Sequence, residues 1–347
     1  GSPLCRPWNP ASQIVEIAEV DIVEVETPKP GPGEILIRVA GAGACHSDLA
    51  IAKGQIPIIH KFPVILGHEN AGYIEDVGLG VEEFEKDQPV AIFGAWGCGA
   101  CRFCIIGEEQ ACDESQWIGH GPKGGYAEFV VVPDARHLIK LDTLDPIVAA
   151  VLTDAGLTSY RAVRRSKDLL TPGSTAVLIG VGGLGHFGLQ FLKVLGNSKV
   201  VAVDKSETAR NLAESLGADV VLNPDKIDIT AEIQSLTNGE GATVVVDFVG
   251  SDLTLNLAKQ LVGRMSLIMI VGLARGTLHY SFLDLPAEVD VKTVSWGNIQ
   301  ELRQVIELVN QERVTPEIHR FPLEEINHVF ELLECGEITG RAVLIPT

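Results

Sequence analysis

Positive charge is scarce in this chain. Lysine and arginine number 27 against 46 aspartates and glutamates, a net charge of −19 over 347 residues. A phosphate backbone or an anionic membrane surface would be repelled at most surface positions, which argues against nucleic-acid and membrane partners. Long apolar runs are missing as well. The longest, Ser266 to Ala274, is about half the length that a bilayer crossing requires, ~18–20 residues. No charged segment leading into an apolar one opens the chain, so no secretion signal is read and a cytoplasmic home is the default. There is no initiator Met, and Gly1-Ser2 has the form of a cleavage scar, which leaves the native start open. No internal repeat or low-complexity tract is evident.

What is present fits a soluble globular chain. Apolar residues make up 46% and charged residues 21%, enough for a sizeable core. At about 150 residues per domain the length suggests two domains.

The cysteines carry the first chemical pattern. There are seven: Cys5, Cys45, Cys98, Cys101, Cys104, Cys112 and Cys335. An odd count without a secretion signal disfavours a disulfide framework. Four fall at residues 98–112 with the spacing C-x2-C-x2-C-x7-C. Short links let backbone turns aim successive thiolates at one centre, and four thiolates in a closed tetrahedron suit structural Zn²⁺. An iron–sulfur cluster is the rival reading, but ferredoxin-type runs continue to a closer fourth Cys followed by Pro, and here Asp113 follows Cys112. Unconnected thiols are the bland reading. A closed site leaves no open coordination position, so it contributes stability and no chemistry.

Residues 14–40 alternate branched apolar and polar side chains, broken by the turn-rich Pro28–Gly33 stretch. Short strands are expected at Ala71–Val77, Gln88–Phe93 and Ala127–Val132, which together read as a mostly β domain over roughly 1–150. Residues 147–170 read as helical. From Ser174 the pattern alternates. Strands are expected at Ser174–Ile179, Lys199–Val203, Val220–Leu222, Thr243–Val249 and Ser266–Val271, with helices at His186–Leu195 and Glu207–Leu216. Continuous apolar strands alternating with helices imply an α/β fold with a doubly wound parallel sheet. Helices at Ile299–Asn310 and Glu324–Glu334 and a closing strand at Ala342–Ile345 complete the chain.

The glycines Gly180, Gly182, Gly183 and Gly185 follow a strand and open a helix. That context gives G-x-G-x-x-G its meaning: a tight turn, close backbone approach to a pyrophosphate, and close helix–strand packing, with the helix N-terminus facing the phosphates. Asp204 ends the next strand, nineteen residues after Gly185. It would accept hydrogen bonds from ribose hydroxyls and repel a 2′-phosphate, which favours NAD over NADP. Lys205 and Arg210 nearby soften that preference. A glycine-rich turn holding no nucleotide is the alternative.

Cys45 and His68 both sit in glycine-rich connections between short strands, where a rigid scaffold can aim a side chain. A lone Cys or His is more often a packed core residue than a ligand, and two ligands do not define a zinc site.

The motifs Gly43-Ala-Cys45-His46-Ser47-Asp48, Gly67-His68-Glu69, the four-cysteine lobe and Gly180-Val-Gly-Gly-Leu-Gly185-His186, in that order, resemble the zinc-dependent medium-chain alcohol dehydrogenases. The resemblance runs from about Pro28 to Pro346. The segment Leu152–Tyr160 around Asp154, with Trp296 after Ser295, is most similar to the microbial secondary alcohol dehydrogenase branch. It implies a GroES-like catalytic domain over 1–153 and 294–347, carrying the zinc lobe at 98–112, and a Rossmann NAD-binding domain over 154–293. Cys45, His68 and Asp154 are implied as catalytic zinc ligands, Asp154 standing where animal liver-type enzymes carry Cys. Glu69 is implied as a nearby or transient ligand and Asp48 as the acid that orients the His ligand.

Ser47 matches the hydroxyl that takes the alcohol proton. The His that ends the relay in liver-type enzymes is replaced by Ala50, so water, His46 or His60 becomes the exit. His46 and Arg341 match basic positions near the cofactor phosphates, and Gly183, Leu184 and Val249 join the cofactor set. Trp117, Ile118, Phe282 and Trp296 fall where relatives line the substrate pocket, though as apolar residues they read equally as core. Ala50 stands where close relatives carry Phe, and His60 where they carry Tyr, which implies a roomier pocket and bulky secondary alcohols.

The implied cofactors are NAD and two zinc ions per subunit, and the implied partner is a small alcohol or carbonyl compound. The implied assembly is a homo-tetramer, or a dimer, with the Rossmann sheet edge and the Trp296–Asn310 region as contacts. Rival readings are a zinc-free quinone or enoyl reductase of the same fold, a polyol dehydrogenase, a non-catalytic NAD- or zinc-binding protein, and a redox thiol switch.

Overall fold

A computed structural model describes residues 20–56, 64–121 and 123–346. Two sheets organise them. In the first the strand order is Ile318–Pro322, Arg341–Ile345, Ile35–Ala44, Glu69–Val77, Pro89–Ile92 and Leu138–Lys140, with Phe129–Val132 pairing on the first half of Ile35–Ala44. Ile35–Ala44 is the spine. Its antiparallel register with Glu69–Val77 shifts between Leu36 and Ile37 and again between Val39 and Gly41. Such irregularities bend a strand and raise its local twist. The C-terminal strand Arg341–Ile345 pairs antiparallel with Ala42–Ala44. The end of the chain therefore returns to the sheet that its beginning built.

The second sheet is wholly parallel, in the order Val220–Leu222, Lys199–Val203, Thr175–Ile179, Ala242–Asp247, Val262–Ile270 and Asp290–Thr293. This is the doubly wound arrangement, in which the strand order reverses beside Thr175–Ile179 and a ligand crevice opens at the carboxyl ends. Thr175–Ile179 is buried along its whole length, as a strand covered by helices on both faces must be. Helix Gly185–Leu195 packs on it, with Phe187 and Phe191 fully buried and Phe191 edge-on to Tyr160 at 5.2 Å. None of the described helices is long and apolar enough to cross a membrane.

The expected strands and helices are found within a few residues of their predicted limits, with one clear exception. Residues 21–25 alternate like a strand but pair with nothing among the described residues, and Ile22, Val23 and Val25 are more than half exposed. Alternation marks a surface that can pair; without a neighbour to take its N–H and C=O groups no strand forms. Residues 14–17, the start of the same pattern, lie outside the described residues. The strands Asp290–Thr293 and Ile318–Pro322 and the helices His46–Ala52, Ile229–Leu236 and Asp252–Leu261 were not singled out by pattern. Cys45, Cys98, Cys101, Cys104 and Cys112 are free and Cys335 is disulfide-bonded.

Candidate functional site

Three separate parts of the chain bring donors to one point. Cys45 directly follows the spine strand and caps the short helix His46–Ala52. His68 sits just before strand Glu69–Val77. Asp154 lies in a π-turn, Leu152–Gly156, between helices Pro146–Ala150 and Leu157–Arg164. The turn is wide because Gly156 N–H donates to Val151 O, five residues back. Single π-turns of this kind recur at functional sites. Thr153 anchors it, donating to Ala150 O (2.8 Å) and accepting from Asn70 N–H (3.1 Å). Donor atoms of Cys45, His68, Glu69 and Asp154 all lie within 4.8 Å of one another, and all four residues are buried.

Each donor is held from behind. His68 Nδ1 faces Asp48 Oδ1 at 2.9 Å, leaving Nε2 directed at Asp154 Oδ2, 3.3 Å away. Asp48 in turn accepts from Cys45 N–H (3.1 Å), Gly67 N–H (3.2 Å) and Tyr126 OH (2.8 Å). Thr158, one helical turn beyond Asp154, donates to its other oxygen at 2.7 Å. Ser47 Oγ lies 3.3 Å from His68 Nε2, on the same face.

Charge follows from this packing. Burial alone would push the Asp48 and Asp154 carboxyls up, but the His68 charge and hydrogen bonds outweigh it and hold both below the usual range. Burial disfavours the His68 imidazolium, yet Asp48 and Asp154 raise it well above its ordinary value. Burial would likewise raise the Cys45 thiol, but Arg341 and His68 bring it down to about 7. Without a cation the trio traps a proton on His68. A divalent cation would replace that proton and satisfy thiolate, imidazole and carboxylate together. The donor set therefore fits zinc, whose charge one thiolate and one carboxylate neutralise.

Arg341 sits behind this group. Its guanidinium pairs with Glu69, while its Cδ and Nη1 lie where a side chain on Gly183 would have to go. It thus touches both the donor cluster and the glycine loop. Burial pushes the Glu69 carboxyl well up and Arg341 opposes. Glu69 Oε2 and Arg341 Nε have no hydrogen-bond partner among the described residues.

The glycine loop has the geometry that its motif requires. Gly180 adopts φ +88°, and a side chain on Gly185 would strike Gly180 O, so helix and strand meet here only without one. Gly182 faces open space. Asp204 accepts from Val181 N–H (2.7 Å) and Ser206 N–H (2.8 Å), which fixes its carboxylate at the loop. Val249 packs over Gly180, and Leu184 O accepts from Ser159 Oγ (2.9 Å) on the helix that follows Asp154. Arg210, a possible 2′-phosphate ligand, is turned onto the carbonyls of Asp204 and Lys205.

In the lobe, donor atoms of Cys98, Cys101, Cys104 and Cys112 also lie within 4.8 Å of one another. Backbone N–H groups of Ala100 and Cys101 draw Cys98 down to about 7, while Cys104 is pushed up to about 12, by burial first and by its thiol neighbours second. Four thiols so crowded do not all ionise without a cation between them.

Residues 31–143 match the family described as "Alcohol dehydrogenase GroES-like domain", and residues 183–311 match "Zinc-binding dehydrogenase". The chain is 36% identical to an NAD-dependent alcohol dehydrogenase of Sulfurisphaera tokodaii, over 97% of this chain and 99% of that one. It is 34% identical to the D-arabinose 1-dehydrogenase (NADP(+)) of Saccharolobus solfataricus, over 94% of each. Its fold superposes with TM-score 0.89 on the alcohol dehydrogenase of Aeropyrum pernix, at 40% identity, covering 94% of this chain and 96% of that one. The chain belongs to the zinc-type alcohol dehydrogenases.

In this alcohol dehydrogenase the candidate substrate residues divide. Trp117 and Trp296 meet edge to face, ring centroids 4.9 Å apart, and Trp296 lies 6.0 Å from the His68 ring. Ile118 is buried beside them, so that a side chain on Gly94 would strike both it and Trp296. Phe282 does not join. It is 96% exposed, in the segment before edge strand Asp290–Thr293. His46 donates to Leu333 O (3.1 Å), and His60 lies outside the described residues.

Tyr126, Thr158 and His120 were missed. Thr158 was findable, four residues after Asp154 on a helical repeat. Tyr126 and His120 reach the site through tertiary packing alone. His120 stands 5.9 Å from His68, ring to ring, and burial brings its pKa down to about 4.

Proposed function

We propose that this chain is an NAD-dependent zinc alcohol dehydrogenase that interconverts alcohols and their aldehydes or ketones, with secondary and fairly bulky alcohols preferred. The observation that carries the reading is the convergence of Cys45, His68 and Asp154 beside the indoles, with Arg341 linking them to the glycine loop. Zinc, when bound by these three residues, supplies Lewis-acid polarisation of the substrate oxygen, and NAD supplies the hydride acceptor.

The chain's own groups do the rest. Asp48 keeps the proton on His68 Nδ1 and so frees Nε2 for the ion. Ser47 Oγ takes the substrate hydroxyl proton; such a positioned acceptor contributes about 10²–10⁴ in rate. Ala50 offers no acceptor beyond it, so the proton leaves to solvent, with exposed His46 next in the chain. Arg341, paired with Glu69 behind Cys45, supplies positive charge toward the pyrophosphate, and His46 borders the same site as a ring whose charge desolvation and Arg341 disfavour. Gly180, Gly182, Gly183, Leu184, Gly185 and Val249 cradle the dinucleotide, and Asp204 selects NAD. Trp117, Ile118 and Trp296 form an apolar wall that excludes water.

A second zinc in the 98–112 lobe is structural. The domain division at 153/154 and 293/294 follows from this reading. A homo-tetramer is the proposed assembly, supported by the exposed Leu273, Tyr280, Phe282 and Leu283 beside edge strand Asp290–Thr293; Phe282 belongs to that face. A sugar or polyol substrate is the second reading, favoured by the D-arabinose dehydrogenase among the relatives.

The test is NAD reduction across a series from 2-propanol to 1-phenylethanol, polyols included, with wild type and Ala50→Phe. Oxidation of the aryl alcohol, weakened in the variant, is expected. Oxidation of polyols alone would overturn the substrate preference, and no NAD reduction with any alcohol would overturn the reading.

A further inference from the structure

His120 reaches the donor cluster because its turn has no side chain to keep it away. Gly119 adopts φ +78°, and a Cβ there would come within about 3 Å of Gly67 C, Gly67 O and His68 N. The turn therefore lies directly on the backbone that carries His68. Ile118 N–H donates to Gly94 O on one side (3.1 Å), and Ile65 N–H donates to Gly121 O on the other (3.1 Å). The ring between these anchors has little freedom to swing away. It faces His68 at 5.9 Å and Trp117 at 6.1 Å, and Trp117 packs on Trp296. Amid these indole walls His120 Nδ1 is buried with no hydrogen-bond partner among the described residues. A buried polar atom left unpaired beside a binding surface marks a place for a ligand atom or a water.

We propose that His120 is a specificity-determining residue, whose Nδ1 hydrogen-bonds a second oxygen on the carbon next to the carbinol. The enzyme then prefers 1,2-diols and α-hydroxyketones to apolar alcohols and ketones of the same size. The proposal rests on the alcohol dehydrogenase reading and narrows its substrate class. A neutral imidazole nitrogen donates or accepts according to tautomer, so it serves a hydroxyl or a carbonyl. The short separation from His68 favours an oxygen on the adjacent carbon over one farther along the chain. A site built to pair such an oxygen discriminates strongly against the analogue that lacks it, because the buried partner is then left unpaired.

The test uses 1-phenylethane-1,2-diol and 1-phenylpropan-1-ol, which differ by a hydroxymethyl against an ethyl group. The wild-type ratio of kcat/KM, diol over propanol, should fall by about tenfold in His120→Leu and be largely kept in His120→Asn, whose amide can replace the Nδ1 contact. A second readout needs no turnover. Binding of 2-hydroxyacetophenone and of propiophenone in the presence of NAD is followed by tryptophan fluorescence, for which Trp117 and Trp296 are placed. The hydroxyketone's advantage should vanish in His120→Leu and persist in His120→Asn, whereas a merely structural role moves both ligands together. Equal ratios in wild type and His120→Leu would overturn the proposal and leave the dehydrogenase reading standing. Failure to oxidise either alcohol would strike that reading instead, and the fluorescence ratios would still decide the role of His120.

Discussion

The cysteine lobe and the Cys45–His68–Asp154 cluster both gather donors within 4.8 Å, but they are built in opposite ways. The lobe takes its ligands from one stretch of fifteen residues, with Cys98 exposed at the surface. Its sulfurs accept hydrogen bonds from backbone N–H groups and from one another. The cluster takes its ligands from three distant elements, buries them all, and ties His68 and Asp154 from behind through Asp48 and Thr158. Donors that face only each other close around an ion. Donors propped from outside, with an aromatic wall on one flank, leave a side for a substrate. On the proposed reading, similar atoms thus serve stability in one place and chemistry in the other.

The largest expected effect separates the two regions by function. His68→Ala should cut NAD-linked alcohol oxidation by ~10³ or more, since the Lewis-acid contribution is lost. Cys101→Ser should instead lower Tm, by about 5 °C, with turnover of the folded enzyme near wild type. Comparable losses of turnover in both would erase the distinction drawn between the regions.

A second comparison sets His68 against His186, both buried in the same protein. His68 is flanked by carboxylates and its pKa is raised. The ring nitrogens of His186 meet Gly182 O and Glu317 N–H. Burial, aided by the Arg341 charge, lowers its pKa from 6.5 to about 4. Above pH 6.5 neither folded nor unfolded chain holds this proton. Between pH 6.5 and 4 only the unfolded chain takes it up, so stability is lost on acidification, by about 3 kcal/mol in all. Urea titrations of wild type and His186→Asn should diverge by that amount across this window. Parallel curves would show that His186 is not held neutral.

A smaller effect tests the support behind the cluster. Asp48→Asn should weaken zinc affinity at this site by about 10–100-fold, because His68 loses the partner that fixes its tautomer. Competition with a chromogenic chelator measures it, and an unchanged affinity would mean that the carboxylate only fills space.

The same contrast explains how far the sequence could be read. The lobe was legible from spacing because its ligands are neighbours in the chain. The glycine loop and Asp204 were legible for the same reason, lying within one strand–helix–strand unit. Cys45 and His68 stood out as residues but not as a site. Asp154 came only from resemblance, since no local pattern joins it to ligands about a hundred residues earlier. Tyr126 and His120 left no signal, because a turn packed on another turn has no periodicity. The pattern at residues 21–25 misled, since alternation says nothing about whether a partner strand exists. Phe282 rests on family position alone, which assigns a residue to a pocket without saying what covers it.

The central claim is that Cys45, His68 and Asp154 share one divalent ion distinct from the lobe's. Elemental analysis of zinc per chain, in wild type and in the Cys45→Ser/His68→Ala double variant, tests it most directly. The account predicts two in the wild type and one in the variant. One zinc in both, or two in both, would contradict it.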